Sequence, residues 1–430
     1  MGAALALVDG EHYPAVVRDA LAELPYDIEG VVLVGGEEKL TGEPDYGVPL
    51  YSALGEALEA LGSEIVLDLS DEPVLGPAER FRLASRALAA GARYVGADFH
   101  FEPVRFAPFP LPSLAIIGTG KRVGKTAVAG HLARLLAHDR PGVVIVAMGR
   151  GGPAQPVVVD APPDLAGLLA RERAGEHAAS DYLEDAVLAS VVTIGCRRCG
   201  GGLAGAPFVS NVDEGARLAE KLGPELVVFE GSGAAIPPVE ARRVLVAGAA
   251  QGPDALAGYL GPYRLLLSDL VVVTGCEEPL ASPADLGRVR AAVAETDAAL
   301  PVVGTVLRPR PAEPIAGQRI AYFSTAPAAI HARLRTHLEQ AHGAEVVLVS
   351  GSLGRRRELA AELESSAARA ADAYVVELKA AAIEVVARAA EARGVRVVFA
   401  DNEVVPLDDE PDLDGLLLAL AETACAEAVR

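Results

Sequence analysis

The segment GTGKRVGKT at residues 118–126 combines glycines with Lys125 and Thr126 in the manner of a loop that binds phosphate. An apolar, β-branched run precedes it and a run of helical period follows it, which is the strand, glycine loop and helix order of a P-loop. The glycines let backbone N–H groups close around phosphate oxygens, and the helix N-terminus adds a favourable dipole. In such a loop, Lys125 bridges the β- and γ-phosphates and the Thr126 hydroxyl ligates Mg²⁺.

The sequence therefore predicts an enzyme that uses ATP, and it predicts which residues contact the nucleotide. The strict pattern has glycine where this chain has Thr119, but the GKT ending and the flanking elements support the prediction. The predicted nucleotide-binding residues are Gly118, Thr119, Gly120, Lys121, Arg122, Val123, Gly124, Lys125 and Thr126.

A metal partner for the loop is expected at the end of a neighbouring strand. The apolar run at residues 226–229 ends in Glu230, which is followed by the small residues Gly-Ser-Gly. Ligands gather at the carboxyl edge of a parallel sheet, so Glu230 is predicted to join Thr126 at an Mg²⁺ ion. The alternative is that Glu230 is a solvated loop residue.

Arginines beside glycines form the candidate anion sites. Arg150 lies between glycines after the run at residues 143–147, where its guanidinium and the neighbouring N–H groups can meet an anion. Arg197 and Arg198 lie in CRRCGGG at residues 196–202. We interpret that segment as a structural or phosphate-contacting loop, with metal binding or redox chemistry by its two cysteines as the alternatives.

A further group of polar residues follows the first predicted strand. Asp9, Glu11 and His12 lie within four residues of one another in DGEHYP at residues 9–14. These side chains could bind substrate or transfer protons. Equally, Asp9 and Gly10 could form a turn and a helix cap, so both interpretations stay open here.

Composition limits the kind of protein. Four cysteines in 430 residues do not make a disulfide scaffold, so a cytoplasmic location is expected. The formal net charge of −21 argues against binding to nucleic acid or to an anionic membrane surface. No apolar run reaches the roughly 20 residues of a membrane span. Cations are scarce, and two of only five lysines lie in the glycine-rich loop.

Apolar β-branched runs alternate with stretches of helical period, which predicts an α/β fold with mostly parallel sheets. Proline-rich segments at residues 101–112 and 308–317 interrupt this pattern and are predicted linkers. The predicted organisation is a central P-loop NTPase domain over residues 111–310, flanked by smaller α/β domains over residues 1–110 and 311–430. Strands are predicted at residues 4–8, 31–34, 65–68, 94–95, 114–117, 143–147, 226–230, 270–274, 302–306, 319–323, 345–349, 373–377 and 396–400.

Four motifs together resemble the cyclic 2,3-diphosphoglycerate synthetase family. They are DGEHYP at residues 9–14, GTGKRVGKT at residues 118–126, CRRCGGG at residues 196–202 and FEGSG at residues 229–233, in that family's order. The loop and the EGSG segment are also similar to the dethiobiotin-synthetase branch of P-loop enzymes. The resemblance covers the whole chain. It implies that ATP drives closure of 2,3-diphosphoglycerate to its cyclic phosphoanhydride, with release of ADP and phosphate.

The resemblance also implies roles for the candidate residues. Lys125, Mg²⁺ and Lys121 would offset the charge of the transferring phosphoryl group. The residues expected to hold the substrate are Asp9, His12, Arg150, Arg197 and Arg198. A homodimer is the expected assembly of such a soluble enzyme.

Two other functions remain open from the sequence alone. A ligase of the dethiobiotin-synthetase type would activate a carboxylate instead of a phosphate. A nucleotide-switched ATPase of the partitioning or metal-insertion type would use Cys196 and Cys199 as metal ligands. The signature lysine of the partitioning relatives would stand at Gly120, whereas this chain has Lys121 one residue later, which counts against that switch.

Overall fold

The computed structural model describes residues 2–40, 42, 44–139, 142–175, 180–378 and 382–428. Their strands form two sheets, one of six strands in the N-terminal part and one of thirteen that spans the central and C-terminal parts. Within these described ranges, no helix is both long and apolar enough to cross a membrane.

The N-terminal part is a small doubly wound sheet. Its strands are β1 (Ala3–Val8), β2 (Asp27–Leu33), β3 (Leu50–Tyr51), β4 (Ile65–Asp68), β5 (Arg93–Val95) and β6 (His100–Phe101). Its helices are α1 (Pro14–Glu23), α2 (Leu54–Leu61) and α3 (Pro77–Ala89). The strand order is β3-β2-β1-β4-β5-β6, and only β6 runs antiparallel to its neighbour.

The central part carries the predicted phosphate loop. Its strands are β7 (Ser113–Gly118), β8 (Val143–Gly149), β9 (Val157–Val159), β10 (Val192–Cys199), β11 (Val209–Ser210), β12 (Leu226–Glu230), β13 (Arg242–Gly248), β14 (Leu270–Thr274) and β15 (Val302–Pro311). Its helices are α4 (Lys125–Asp139), α5 (Leu165–Arg173), α6 (Asp181–Ala189), α7 (Val212–Leu222), α8 (Asp254–Ala257), α9 (Gly261–Leu266) and α10 (Pro283–Thr296). The order β10-β8-β12-β7-β13-β14-β15 is parallel throughout and places β7 near its middle.

Four central strands lie outside the predicted set: the short β9 and β11, and the longer β10 and β13. Each of the longer two carries an arginine pair, Arg197 with Arg198 and Arg242 with Arg243, and such pairs are typical of exposed segments rather than of buried strands. Both of these segments form strands because they pair with central strands that are buried on both faces. β10 pairs with β8, and β13 pairs with β7 and β14.

The C-terminal part continues the same sheet. Its strands are β16 (Arg319–Phe323), β17 (Glu345–Ser350), β18 (Ala373–Glu377) and β19 (Arg396–Pro406). Its helices are α11 (His331–His342), α12 (Arg356–Leu363), α13 (Ser366–Arg369), α14 (Arg388–Arg393) and α15 (Leu413–Ala428). β19 pairs antiparallel with β15 and parallel with β18. The predicted α/β fold with a central, mostly parallel P-loop unit is confirmed, with the addition that the flanking C-terminal strands join the central sheet.

Because β15 and β19 pair antiparallel, the parallel strands of the C-terminal part run in the opposite direction to the parallel strands of the central part. Pro311 pairs with Ala400 across the antiparallel ladder, and Glu377 at the end of β18 pairs with the same Ala400. The carboxyl ends of the C-terminal strands therefore point back toward the carboxyl edge of the central strands. In keeping with this, a Cβ on Gly354, in the loop after β17, would lie 3.7 Å from Nη2 of Arg122.

The proline-rich segment at residues 308–317 is partly strand, although prolines favour a linker there. Beyond Gly304, β15 has only β19 as a paired neighbour. Ala312 N donates to Phe399 O at 2.8 Å. Backbone nitrogens alternate in direction along a strand, so those of Pro309 and Pro311 point away from β19. Proline, which lacks an N–H group, is tolerated on that unpaired side.

The last helix returns to the central part. α15 packs against β7 and α4, where Leu417 joins the core that contains Leu114 and Ile116. His131 of α4 lies 2.7 Å from Asp414 Oδ1. The C-terminal segment thus buries the face of the sheet directly behind the phosphate loop.

Candidate functional site

The phosphate loop connects β7 to α4, and β14 holds its second half in place. Gly124 has a φ of +89°, and a Cβ there would meet Thr274 Cγ2 at 3.1 Å, so glycine is required. Val123 is buried, and its carbonyl accepts a hydrogen bond from Thr274 Oγ1 at 2.8 Å. Arg122 adopts a φ of +60° although it is not glycine. These contacts give the loop one defined shape with its N–H groups at the start of α4.

Gln251, a residue that sequence reasoning did not identify, holds the first half of the loop. Thr119 Oγ1 donates to Gln251 Oε1 at 2.6 Å, and the same oxygen accepts a hydrogen bond from Gly248 N at 3.1 Å. Nothing in the surrounding sequence marks Gln251, because its role depends on β13 lying beside β7. Lys121 is exposed, and its ammonium has no hydrogen bond or ion pair within the described part of the chain.

Lys125 lies across the loop that it ends. Its side chain is buried, and Nζ donates to the carbonyl of Gly120 at 2.6 Å. Burial lowers the pKa of Lys125 to about 8, opposed by the nearby carboxylates of Glu230 and Asp181. The ammonium is thus held where a phosphate would sit, at the mouth of the loop.

Glu230 meets Thr126 as the sequence predicts. It ends β12, which pairs directly with β7, and it is 3% exposed. Thr126 Oγ1 donates to Glu230 Oε1 at 2.7 Å, whereas Oε2 has no donor among the described residues. Burial, followed by repulsion from Asp181, raises the pKa of Glu230 to about 7.

Two acidic residues of α6, Asp181 and Asp185, complete this side of the site. Neither oxygen of Asp185 has a donor in the described structure, and burial, followed by Glu230, raises the pKa of Asp185 well above its ordinary value. A hydrogen bond between the Asp185 and Glu230 carboxyl groups therefore requires a proton on one of them. A Cβ on Gly149 would lie 3.3 Å from Asp181 Oδ2, which places Asp181 beside β8. The available signal in the sequence was three acids, Asp181, Glu184 and Asp185, on one turn of an otherwise largely apolar helix.

Arg150 and Arg198 approach the same loop from β8 and β10. Arg198 is 7% exposed, and its Nη1 and Nη2 donate to Gly200 O at 2.7 Å and Ser232 O at 2.5 Å. A Cβ on Gly233 would meet Arg198 Nη2 at 3.0 Å and Arg150 Nη2 at 3.1 Å. Of the predicted anion-binding residues, these two are therefore brought together at the carboxyl edge.

Arg197 and the two cysteines are not brought to this point. Successive residues of a strand face opposite sides, so Arg197 points away from Arg198 and is exposed. Cys196 is buried, with its Sγ 2.2 Å from where a Cβ on Gly215 would lie, and burial raises its thiol pKa to about 12. Cys199 is exposed. No group of three or more potential His, Cys, Asp or Glu metal ligands occurs in the described ranges.

Asp9 and His12 lie at the carboxyl end of β1 in the other sheet. Asp9 is fully buried and accepts hydrogen bonds from Glu11 N at 2.9 Å and Asp71 N at 2.8 Å. His12 Nδ1 lies 2.9 Å from Asp9 Oδ1. These contacts build a turn. In the part of the chain that the structure describes, the hydrogen bonds and ion pairs of Asp9 and His12 stay within the N-terminal part.

Models of protein families match consecutive parts of the chain. The N-terminal, P-loop and C-terminal domain models of cyclic 2,3-diphosphoglycerate synthetase match residues 3–102, 113–306 and 311–403. The chain belongs to the cyclic 2,3-diphosphoglycerate synthetase family. It is therefore an enzyme whose central domain has the P-loop nucleotide-binding fold.

Relatives named cyclic 2,3-diphosphoglycerate synthetase align over nearly the whole chain. The synthetase of Rubrobacter xylanophilus is 53% identical over 98% of this chain and 97% of its own length. The synthetases of Thermococcus gammatolerans and Methanothermus fervidus are 46% and 39% identical, and each covers at least 94% of both chains. The solved structure of LpxK from Aquifex aeolicus covers 74% of this chain and 90% of its own, at 14% identity and a TM-score of 0.41, which is too low to support an argument.

Membership in the synthetase family also decides among the functions left open by the sequence. It supports the synthetase interpretation over a dethiobiotin-type ligase and over a nucleotide-switched ATPase. The geometry agrees with this choice, because the two cysteines that a metal-insertion ATPase would need are split between the interior and the surface of β10.

Proposed function

We propose that this chain uses ATP to close 2,3-diphosphoglycerate into cyclic 2,3-diphosphoglycerate, with release of ADP and phosphate. The observation that carries the proposal is a concentration of positive charge beside the phosphate loop of an acidic protein, where neither Arg150 nor Arg198 forms an ion pair among the described residues. Arg150 and Arg198 converge there, next to Lys125, in a chain of net charge −21. An acceptor with two phosphate groups, placed beside a triphosphate, requires such a concentration of cations.

The proposal includes Mg²⁺, and the residues present fit that ion. The Thr126 hydroxyl and a Glu230 carboxylate oxygen lie 2.7 Å apart, and the other Glu230 oxygen has no donor among described residues. Magnesium prefers oxygen ligands of these kinds together with phosphate and water. When bound, the ion would supply positive charge that offsets the charge of the nucleotide phosphates. Asp181 lies close enough to add to the negative charge around it.

Metal binding is expected to depend on pH through Glu230. Its pKa of about 7 means that below this pH the carboxyl carries a proton, which a cation must displace. We expect affinity for Mn²⁺, a paramagnetic substitute for Mg²⁺, to fall by up to about tenfold per pH unit below pH 7 and to level off above it. Electron paramagnetic resonance titration of the nucleotide-free protein measures this directly. An affinity that stays flat across that range would contradict the assignment of Glu230.

Two phosphoryl transfers account for the products. In the first, an oxygen of one acceptor phosphate attacks the γ-phosphorus, the bond to the bridging oxygen breaks, and ADP leaves. In the second, an oxygen of the other acceptor phosphate attacks the phosphorus of the first, and the former γ-phosphoryl group leaves as inorganic phosphate. The bridging oxygen formed in the first step leaves with that phosphate, and the new anhydride bond of the second step closes the ring; no water enters either step. The contribution of the protein is positioning and charge neutralisation.

Particular residues are assigned to these steps. Lys125 neutralises the γ-phosphoryl group as it transfers, after exchanging the Gly120 carbonyl for a phosphate oxygen. Lys121, exposed on the same loop, is proposed to approach the transferring group from solvent. Asp9, His12 and Arg197 have no described contacts at this edge, so no step is assigned to them.

The proposed setting is a homodimer in the cytoplasm, where ATP and phosphorylated glycerates are found. Phe208 is 91% exposed, and Leu203 and Val209 are each 57% exposed on the same segment at the edge of the large sheet. An exposed apolar group of this kind supports a contact between copies. Sedimentation equilibrium distinguishes a dimer from the 44.3 kDa monomer.

The test of the proposed function is ³¹P NMR of the protein with Mg²⁺-ATP and 2,3-diphosphoglycerate. We expect ADP, inorganic phosphate and a new pair of phosphoanhydride signals to appear together, and all three to form about 10²-fold or more slowly with the Lys125→Ala variant. ATP consumption without a new phosphorus-containing product would overturn the cyclisation and favour an acceptor carboxylate.

A further inference from the structure

Gly233 lies at the point where the side chains of Arg150 and Arg198 meet. Nη2 of Arg198 and Nη2 of Arg150 would lie 3.0 Å and 3.1 Å from a Cβ on Gly233, so both guanidinium groups border the same small space. Arg198 is more than nine-tenths buried, and its Nε has no hydrogen-bond partner among the described residues. Its Nη1 and Nη2 donate hydrogen bonds to the carbonyls of Gly200 and Ser232.

The protein only partly offsets the positive charge at this point. Neither guanidinium forms an ion pair with an Asp or Glu in the part of the chain that the structure describes, and the pKa of Arg198 is lowered by burial and then by Arg150. Asp181 opposes that lowering and so offsets part of the charge, but two cations held this close still repel each other. An anion with two negative charges would reverse this, and phosphate matches the forked geometry of arginine.

The space at Gly233 is separate from the phosphate loop but within electrostatic reach of it. Gly233 ends the segment that starts at Glu230, which contacts Thr126. The positive charges of Arg198 and Arg150 both lower the pKa of Lys125, so the two arginines lie near the lysine. A phosphate bound at Gly233 would therefore sit beside the transferring group, not within the triphosphate.

From this geometry we infer that Arg150, Arg198 and Gly233 form a subsite for one phosphate group of the acceptor, and that this subsite binds the acceptor without the nucleotide. The inference rests on the proposed function and deepens it, because it separates the acceptor's phosphate from the phosphates of ATP. Arg198 is buried and held by its hydrogen bonds to two carbonyls, whereas Arg150 is exposed. Gly233 keeps the space open, because any side chain there enters between the two guanidinium groups.

The test uses equilibrium binding, measured by isothermal titration calorimetry, of 2,3-diphosphoglycerate alone and of Mg²⁺-ATP alone. We expect Gly233→Ala and Arg150→Gln each to weaken diphosphoglycerate binding about tenfold or more, and to change the ATP dissociation constant less than about twofold. Gly223→Ala is the matched control, because Gly223 has a φ of +61° against +62° for Gly233 and has open space where a Cβ would lie. Arg217→Gln controls for the loss of one exposed positive charge in the same part of the chain.

The outcomes separate the inference from the proposed function. Equal weakening of ATP and diphosphoglycerate by Arg150→Gln would overturn the subsite, because the pair would then belong to the nucleotide. Unchanged diphosphoglycerate binding in both variants would also overturn it. Failure of the proposed function appears elsewhere, as the absence of a cyclic product from the wild-type protein. Melting temperatures of the variants within a few degrees of wild type confirm that the fold is retained.

Discussion

Replacing Lys125 by alanine is expected to lower kcat by about 10²–10³-fold or more, the largest single effect in this chain. The ammonium is buried at the mouth of the phosphate loop and already donates to a loop carbonyl at 2.6 Å. No other cation of the loop has this placement, because Lys121 and Arg122 are exposed. ADP release measured by coupled assay and product measured by ³¹P NMR should fall together, because the lysine acts on the transfer that precedes ring closure.

The matched control for this prediction is Lys221→Ala, which removes an exposed lysine from the end of α7. Its kcat should remain within about twofold of wild type, since surface substitutions away from special features have small effects. The melting temperature of Lys125→Ala should not fall markedly, because burial lowers the lysine pKa to about 8 and removal relieves that cost. A kcat within tenfold of wild type for Lys125→Ala would contradict the role assigned to the loop.

Replacing Glu230 by glutamine is expected to lower Mn²⁺ affinity and kcat by about 10²-fold each. Glutamine has the same shape, and its carbonyl oxygen can still accept the hydrogen bond from Thr126. What it loses is the negative charge that a divalent cation requires. The comparison of Mn²⁺ binding with steady-state rates shows whether the two losses share one cause.

The stability of the same variant separates function from folding. Burial raises the folded-state pKa of Glu230 from 4.5 to about 7, so between these values the folded protein holds a proton that the unfolded chain has released. The carboxyl therefore favours folding less and less as pH rises through this window, and above pH 7 it is charged, buried and unfavourable. At about pH 8, we expect Glu230→Gln to melt no lower than wild type. Glu220→Gln, which changes an exposed side chain, is the control for the loss of one charge. A large drop in the melting temperature of Glu230→Gln would indicate that Glu230 is a structural residue instead.

The phosphate loop could be predicted from the sequence because its parts are local. Nine consecutive residues supply the backbone donors, Lys125 and Thr126, and their conformation depends on glycines at set positions such as Gly124. Glu230 could be predicted as well, because a buried parallel strand that ends in a carboxylate places it at the sheet edge wherever that strand pairs. Local sequence carries this information since neither inference needs the identity of the neighbouring strand.

Residues whose role depends on long-range pairing could not be assigned this way. Whether Arg197 or Arg198 faces the site follows from the side of the sheet that each takes once β10 pairs with β8, and the motif CRRC is compatible with either. Gln251 contacts Thr119 only because β13 lies next to β7. Asp185 acts on Glu230 only because α6 packs against β8 and β10.

The sequence by itself therefore determined the fold class, the phosphate loop, the position of Glu230 at the carboxyl edge of the sheet and the resemblance to one family. Only the tertiary structure decided which arginines converge, that Gly233 lies between them, and that the C-terminal strands join the central sheet through β15 and β19. The physical reason is the range of the interactions. Hydrophobic period and loop chemistry act over a few residues, whereas strand order and the meeting of side chains from different elements are set by how the whole chain buries its apolar surface.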